Sequence, residues 1–331
     1  MSAQTTQSGP TIDRKTIQSL IPQALGETNF PDLGKRLPGK VRDCYVKGDI
    51  RTLIATDRIS AFDVILGTVP LKGQVLNAMS VYWFEATKHL VPNHLIDVPD
   101  PCVSVGLECR PLPAEMVMRG YLTGSSATSI WRAYERGERT FCGHPLPDGM
   151  KKHQKLEKPL LTPSTKAEIG EHDRSVSRRE LLAMGLISSA QFDEMADYAH
   201  RLFAFGQQQA AQNGLILVDT KYEFGLDPKG RIVLIDEIHT PDSSRYWYAD
   251  DYAERFAAGQ DPRSLDKEFI RRHLRENMGY SGDGPPPALP ADIIAEGALR
   301  YLDIYRQVTG QALQPDLSPP LARIRKNLGL N

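Results

Sequence analysis

The rhythm of apolar and polar positions changes several times along the chain, and each change predicts an element. In "DRKTIQSLIPQAL" Ile17, Leu20 and Ile21 fall at helical spacing, after a polar start, residues 1–14, that reads as loose. "VRDCYVKG" and "RTLIATD" are short β-type runs joined by Lys-Gly-Asp, a hairpin pattern. "VLNAMSVYWFEATKHL" has the period of an amphipathic helix, and a further strand is expected near 114–122. "GSSATSIWRAYERGE" reads as a helix with a serine available as its N-cap. A Pro-, Lys- and His-rich stretch at 141–175 lacks clear periodicity and reads as a long functional or disordered loop. Residues 177–214 are helical and end in Asn-Gly. "LILVDTKYEFGLD" and "RIVLIDEIHT" then form a hairpin across Pro-Lys-Gly, and two C-terminal helices flank a "GDGPPPALP" linker.

Hairpins mixed with helices predict an α+β fold rather than a doubly wound parallel sheet, and the G-x-G-x-x-G dinucleotide pattern is absent. At 331 residues, 40% hydrophobic and 24% charged, the chain can bury a sizeable core. Its formal net charge of −1 supplies no basic field for nucleic acid or an anionic membrane, so an anionic ligand needs a local site. The four cysteines include no C-x-x-C, which predicts reduced thiols in a cytoplasmic protein. No segment has the run of about 18 apolar residues that a membrane helix requires, and the N-terminus lacks a signal-peptide apolar region.

The candidate chemistry lies in a few blocks. "GKRLPGKV" matches a phosphate loop except at Val41, which has no hydroxyl, and it leads into a strand rather than a helix. In "GKVRD" the alternation of a strand sends Lys40 and Arg42 to one side beside a glycine, a pattern suited to polyphosphate or to a solvated basic edge. In "LILVDTKYEFG" Asp219, Lys221 and Glu223 share one strand face, with Tyr222 and Phe224 on the other. That row is either a surface ion-pair ladder or half of a site. If the hairpin pairs, it converges with Asp236 and Glu237 of "IDEIHTPDSSR", where crowded acids call for a cation such as magnesium. Arg245 and Lys221 are then placed to grip an anionic substrate. His239 reads as structural, with no second histidine at metal spacing. "VMRGYLTGSS" sets Arg119 at a strand end and Ser125 before a helix, either a phosphate-monoester site or an ordinary cap. "LLTPSTKAEIGEHD" concentrates Thr162, Ser164, Thr165, Lys166, Glu168, His172 and Asp173, either a closing loop or a solvated one.

Together "GKVRD", "ATDRISAFD", "MRGYLTGS", "TPSTKAEIGEHD", "LVDTKYEFG" and "DEIHTPDSSRYW" resemble the phosphoribosylaminoimidazole-succinocarboxamide synthase (SAICAR synthetase) family across roughly 39–247. The resemblance implies ligation of L-aspartate to the carboxylate of carboxyaminoimidazole ribonucleotide (CAIR), driven by ATP with magnesium through an acyl phosphate. It implies Lys40 and Arg42 on ATP phosphates, Glu223 on the ribose and with Asp236 at the metal. It also implies Arg119, Ser125, Lys221 and Arg245 on CAIR, with Asp219 orienting it, so that Lys221, Asp219 and Arg245 form the catalytic group. Asp57, Arg58, Ser60, Asp63, Ser164 and Lys166 are implied substrate-pocket elements. The implied architecture is an N-terminal extension and short helix (1–25), an N-terminal sheet domain (26–115), an ATP-grasp-like central domain (116–260) and C-terminal helices (261–331), as a monomer or small homo-oligomer. Two rivals use the same blocks: a small-molecule kinase with a hydroxyl acceptor, and a nucleotide-sensing protein without catalysis.

Overall fold

The computed structural model describes residues 12–330 apart from 62–63, 127, 167–173, 266–267 and 283. Helix α1 (Arg14–Leu20) is capped by Asp13, whose side chain accepts from the Thr16 amide. Strands β1 (Lys35–Pro38), β2 (Arg42–Lys47) and β3 (Ile50–Ala55) form an antiparallel meander, with the expected hairpin between the last two. A separate hairpin, β4 (Arg58–Ala61) and β5 (Val64–Thr68), leads into α2 (Lys72–Thr87). Sequence periodicity predicts α2 to be amphipathic, but Lys72 to Asn77 are all buried, because the helix runs between the sheet and the C-terminal helices. Strands β6 (Leu95–Asp100) and β7 (Val103–Leu107) complete a five-stranded antiparallel sheet in the order β1-β2-β3-β7-β6.

The second sheet is built on β8 (Arg110–Leu122), a strand that crosses the expected boundary at 115/116 without a break. Helix α3 (Ile130–Glu135) follows. The stretch at 141–175, read as a long functional or disordered loop, is in its described part stitched by β9 (Thr140–Phe141), β10 (His144–Pro145), β11 (Gln154–Leu161) and β12 (Ser164–Thr165), the last two pairing with β8. β9, β10 and β12 have two residues each and carry no period, and β11 buries only Leu156 and Leu161, on either side of its polar middle, so alternation did not announce it either. The expected helix at 177–214 is two: α4 (Arg178–Ala183) and α5 (Ser189–Gln212), each opened by a serine capping box.

Strand β13 (Leu215–Leu226) is the centre of the second sheet. Along one edge it pairs with β8; along the other it pairs first with β15 (Ser244–Tyr248) and then with β14 (Ile232–Ile235). Residues 236–243 therefore leave the sheet where its neighbour changes from β14 to β15. Helices α6 (Tyr252–Ala257), α7 (Glu268–Met278), α8 (Ala291–Thr309) and α9 (Pro320–Asn327) complete the chain. One hydrophobic core runs from Ile17 through Trp83, Phe203 and Tyr222 to Tyr305, so α2, α5 and α8 pack into a common interior. Among the described residues no helix is long and apolar enough to cross a membrane.

Candidate active site

The register of the second sheet assembles the site. On β13, Glu223 stands opposite Glu115 of β8. Two acids facing each other across strands repel, yet Lys221 bridges them, its ammonium 2.7 Å from Glu115 and 2.5 Å from Glu223. The other Glu223 oxygen accepts from Lys166 at 2.6 Å, and Ser164 donates to Glu115 at 2.9 Å. Burial would lower the Lys221 pKa, but Glu223 and Glu115 outweigh it and hold the group protonated. Ser164 thus reaches Lys221 through Glu115, a residue that sequence reading misses although a lone acid in "LPAEMVM" was its trace.

Glu223 also pairs with Ile235, the residue before Asp236, so the two acidic segments converge as the hairpin predicts. Both line a cavity of about 370 Å³ between the sheets, with Gly39, Lys40, Val41, Arg42 and Lys166 among the other lining residues. Val41, Leu53, Leu107, Pro111 and Ile235 give it an apolar wall, and Cys44, Arg51, His94 and Cys109 complete a lining that motif reading does not foresee. Arg42 is ion-paired with Asp236. Burial opposes ionisation of Asp236, but Arg42 and Lys221 hold its carboxyl down to about 2. Burial pushes the neighbouring Glu237 carboxyl up, with Asp236 and Asp242 adding to the rise. The backbone at Asp236 has φ 67°, the left-handed region that a non-glycine residue adopts at a free-energy cost, and such outliers concentrate at functional sites. Lys40 reaches the cavity from the turn before β2 rather than by strand alternation.

Two strand positions from Lys221, Asp219 lies opposite Arg119 of β8 and opposite Arg245 of β15. Its Oδ2 is 3.3 Å from Arg245 and 3.8 Å from Arg119, and that buried oxygen has no hydrogen-bond partner. Arg119 donates through Nε to Thr162 at 2.9 Å. Burial lowers the Arg119 pKa, and the charge of Arg245 adds to the effect while Asp219 opposes it.

Ser125 does not cap the following helix: Ser129 does, and Ser125 lies exposed in the preceding turn. Gly124 at φ 117° brings that turn so close to Ser129 that an added Cβ would lie 2.4 Å from the serine Cβ. Asp57 and Arg58 are turned into the frame. Asp57 accepts the amides of Leu25 and Gly73 at 2.8 and 2.9 Å. Arg58 donates to the carbonyls of Gly26, Gly39 and Lys40 and to buried Asp43. Arg58 therefore braces the Gly39–Lys40 turn of the cavity, whereas Asp57 ties the chain at Leu25 to the start of α2. Ser60 is half-buried in β4, whereas Asp63, Glu168, His172 and Asp173 lie outside the described residues. His239 has the structural role expected of it: fully buried against Trp83, it shares a 2.5 Å hydrogen bond with Tyr222, and burial lowers its pKa to about 3.

The SAICAR synthetase family model matches residues 35–286, which span both sheets and the cavity between them. The chain belongs to the SAICAR synthetase family. A phosphoribosylaminoimidazole-succinocarboxamide synthase of Legionella pneumophila (strain Lens) is 50% identical over 299 residues, covering 90% of this chain and 95% of that one. Among solved structures, SAICAR synthase from Saccharomyces cerevisiae complexed with SAICAR superposes with a TM-score of 0.75 at 30% identity, covering 88% of this chain and all of that one. A more distant SAICAR synthetase, solved in complex with ADP, shares the fold with a TM-score of 0.62 at 23% identity, covering 85% of this chain and 100% of that one.

Proposed function

We propose that the chain ligates L-aspartate to the carboxylate of CAIR at the expense of ATP, giving SAICAR, ADP and phosphate in purine biosynthesis. The observation that carries this reading is the face of β13. Its Glu223 end lines the cavity beside Asp236 and Arg42, while its Asp219 end lies between two arginines, about 13 Å away along the strand. The apolar wall suits a nucleobase and the rim of Lys40, Arg42 and Lys166 suits its phosphates. Arg119, Arg245 and the Gly124–Ser125 turn suit the phosphate and carboxylate of the ribonucleotide.

Asp236 and Glu223 are hard oxygen donors of the kind magnesium takes alongside nucleotide phosphates and water, and two carboxylates suffice for such a site. Nucleotide phosphates and water would complete the shell of a cation held there. When bound, the cation would screen the phosphate charge. Arg42 and Lys166, now paired with those carboxylates, are positioned to move onto phosphate oxygens.

A carboxylate oxygen is a poor leaving group. In the proposed reaction it attacks the γ-phosphorus of ATP and ADP departs. The amine of aspartate then attacks the resulting acyl phosphate carbon, phosphate leaves, and the amine loses a proton. Lys221 supplies fixed positive charge where the carboxylate and transferring phosphoryl group meet. The test is ADP release measured with each substrate omitted in turn. Release requiring both CAIR and aspartate is expected. Phosphoryl transfer to an alcohol without aspartate, or ATP binding without turnover, would overturn the reading.

A further inference from the structure

Thr123, the residue before the Gly124–Ser125 turn, is almost fully buried, and its hydroxyl lies 2.9 Å from Nδ1 of His153. The far nitrogen of that ring, Nε2, lies 2.7 Å from a carboxylate oxygen of Asp261. An ionised carboxylate only accepts hydrogen bonds, so Nε2 carries the proton and Nδ1 is left to accept from Thr123. The ring is fixed in other ways too. It stands edge-on to Trp247 at 5.3 Å between centroids. The His153 amide donates to the Leu122 carbonyl at 2.7 Å, and its carbonyl accepts from Tyr252 at 2.8 Å. The backbone takes φ 68°, a conformation that a histidine holds only when its surroundings impose it. The charged groups acting on the imidazole are Asp261, Lys152 and Arg245, the last being the arginine paired with Asp219.

We propose that His153 is a positioning residue for the ribonucleotide: held by Asp261, it orients the Thr123 hydroxyl and so fixes the turn carrying Ser125, which continues the strand that bears Arg119. The inference rests on reading that turn as the phosphate-binding element of the proposed reaction.

Three variants test it. His153→Phe keeps an aromatic ring beside Trp247 and removes both hydrogen bonds. His153→Asn restores an acceptor near the Nδ1 position. Thr123→Val removes the hydroxyl from the other side without touching the left-handed backbone of His153. The phenylalanine and valine variants, which share the loss of the Thr123–His153 hydrogen bond, are expected to raise the KM for CAIR about threefold to tenfold, with the KM for ATP unchanged. The asparagine variant should recover most of the loss. Equal rises for both substrates, or no rise with Thr123→Val, would overturn the proposal. Nuclear magnetic resonance judges the positioning without any turnover. The amide signals of Gly124 and Ser125 should move in both Thr123→Val and His153→Phe, and unmoved signals would overturn the proposal even in an active enzyme. A wild-type protein without CAIR-dependent turnover would count against the function instead.

Discussion

Two clusters of arginine and carboxylate, similar in composition, behave in opposite ways. Around Arg58 every guanidinium nitrogen is engaged, meeting three carbonyls and Asp43, and Asp43 also accepts from Arg36 and from the amide and hydroxyl of Thr28. Around Asp219 the hydrogen bonds are incomplete: Arg245 and Arg119 approach the same oxygen at 3.3 and 3.8 Å, and that buried oxygen accepts no hydrogen bond. A guanidinium and carboxylate so engaged have little left to offer a ligand and serve as frame. A cluster whose buried acceptor is left open keeps donors and acceptors in reserve, and buried groups without partners are rare enough to need a reason. The kinds of residue in a motif do not separate these roles; the state of their hydrogen bonds does.

The largest expected break in this comparison comes from Arg58→Ala. It leaves buried Asp43 with only the half-buried Arg36, 3.3 Å away, as a cationic partner, and losing one partner of a buried pair usually costs about 3–5 kcal/mol. Thermal or denaturant unfolding should show that loss, and a variant as stable as wild type would remove Arg58 from the frame. Arg245→Ala should do the reverse. Turnover with CAIR is expected to fall on the order of a hundredfold to a thousandfold, with an unfolding midpoint close to wild type because the side chain is about one-third exposed. Unfolding that tracks the lost activity would erase the distinction between the clusters.

Asp236→Asn is expected to raise the magnesium concentration needed for half-maximal turnover about tenfold or more, leaving the fold intact. Full activity at ordinary magnesium would contradict its metal role. The smallest effect sharpens the frame side. His239 stays neutral in the folded protein down to about pH 3, whereas the unfolded chain takes up a proton near its ordinary value of 6.5. Its contribution is therefore fully present above pH 6.5 and declines on acidification, reaching about 1.4 kcal/mol of lost stability one pH unit below that value. Comparing unfolding at pH 7 and 5.5, His239→Gln should show a shallower decline than wild type; an identical slope would sink the assignment.

Much of this was legible in the residues because it is local. The β13–β14 hairpin follows from two apolar runs around Pro-Lys-Gly, and the shared face of Asp219, Lys221 and Glu223 follows from strand alternation. Glu115 was not legible, since only the pairing of β8 with β13 brings it to Lys221 from 106 residues away. The pairing of β15 with β13 was hidden for the same reason, the connection being residues 236–243 rather than a turn. Which serine caps α3 was not legible, because several hydroxyl residues precede the helix and only the backbone selects Ser129. Arg58 reads in sequence as another binding arginine, because neither its burial nor its carbonyl partners leave a mark in the motif.

Hydrogen exchange of the backbone amides tests the central claim most directly, that one strand face joins a nucleotide cavity to a separate ribonucleotide cluster. ATP with magnesium should slow exchange at residues 39–44 and 235–237, and subsequent CAIR should add protection at 123–126 and 243–246. Protection of the same amides by both ligands, or none in the cavity on adding ATP, would contradict the account.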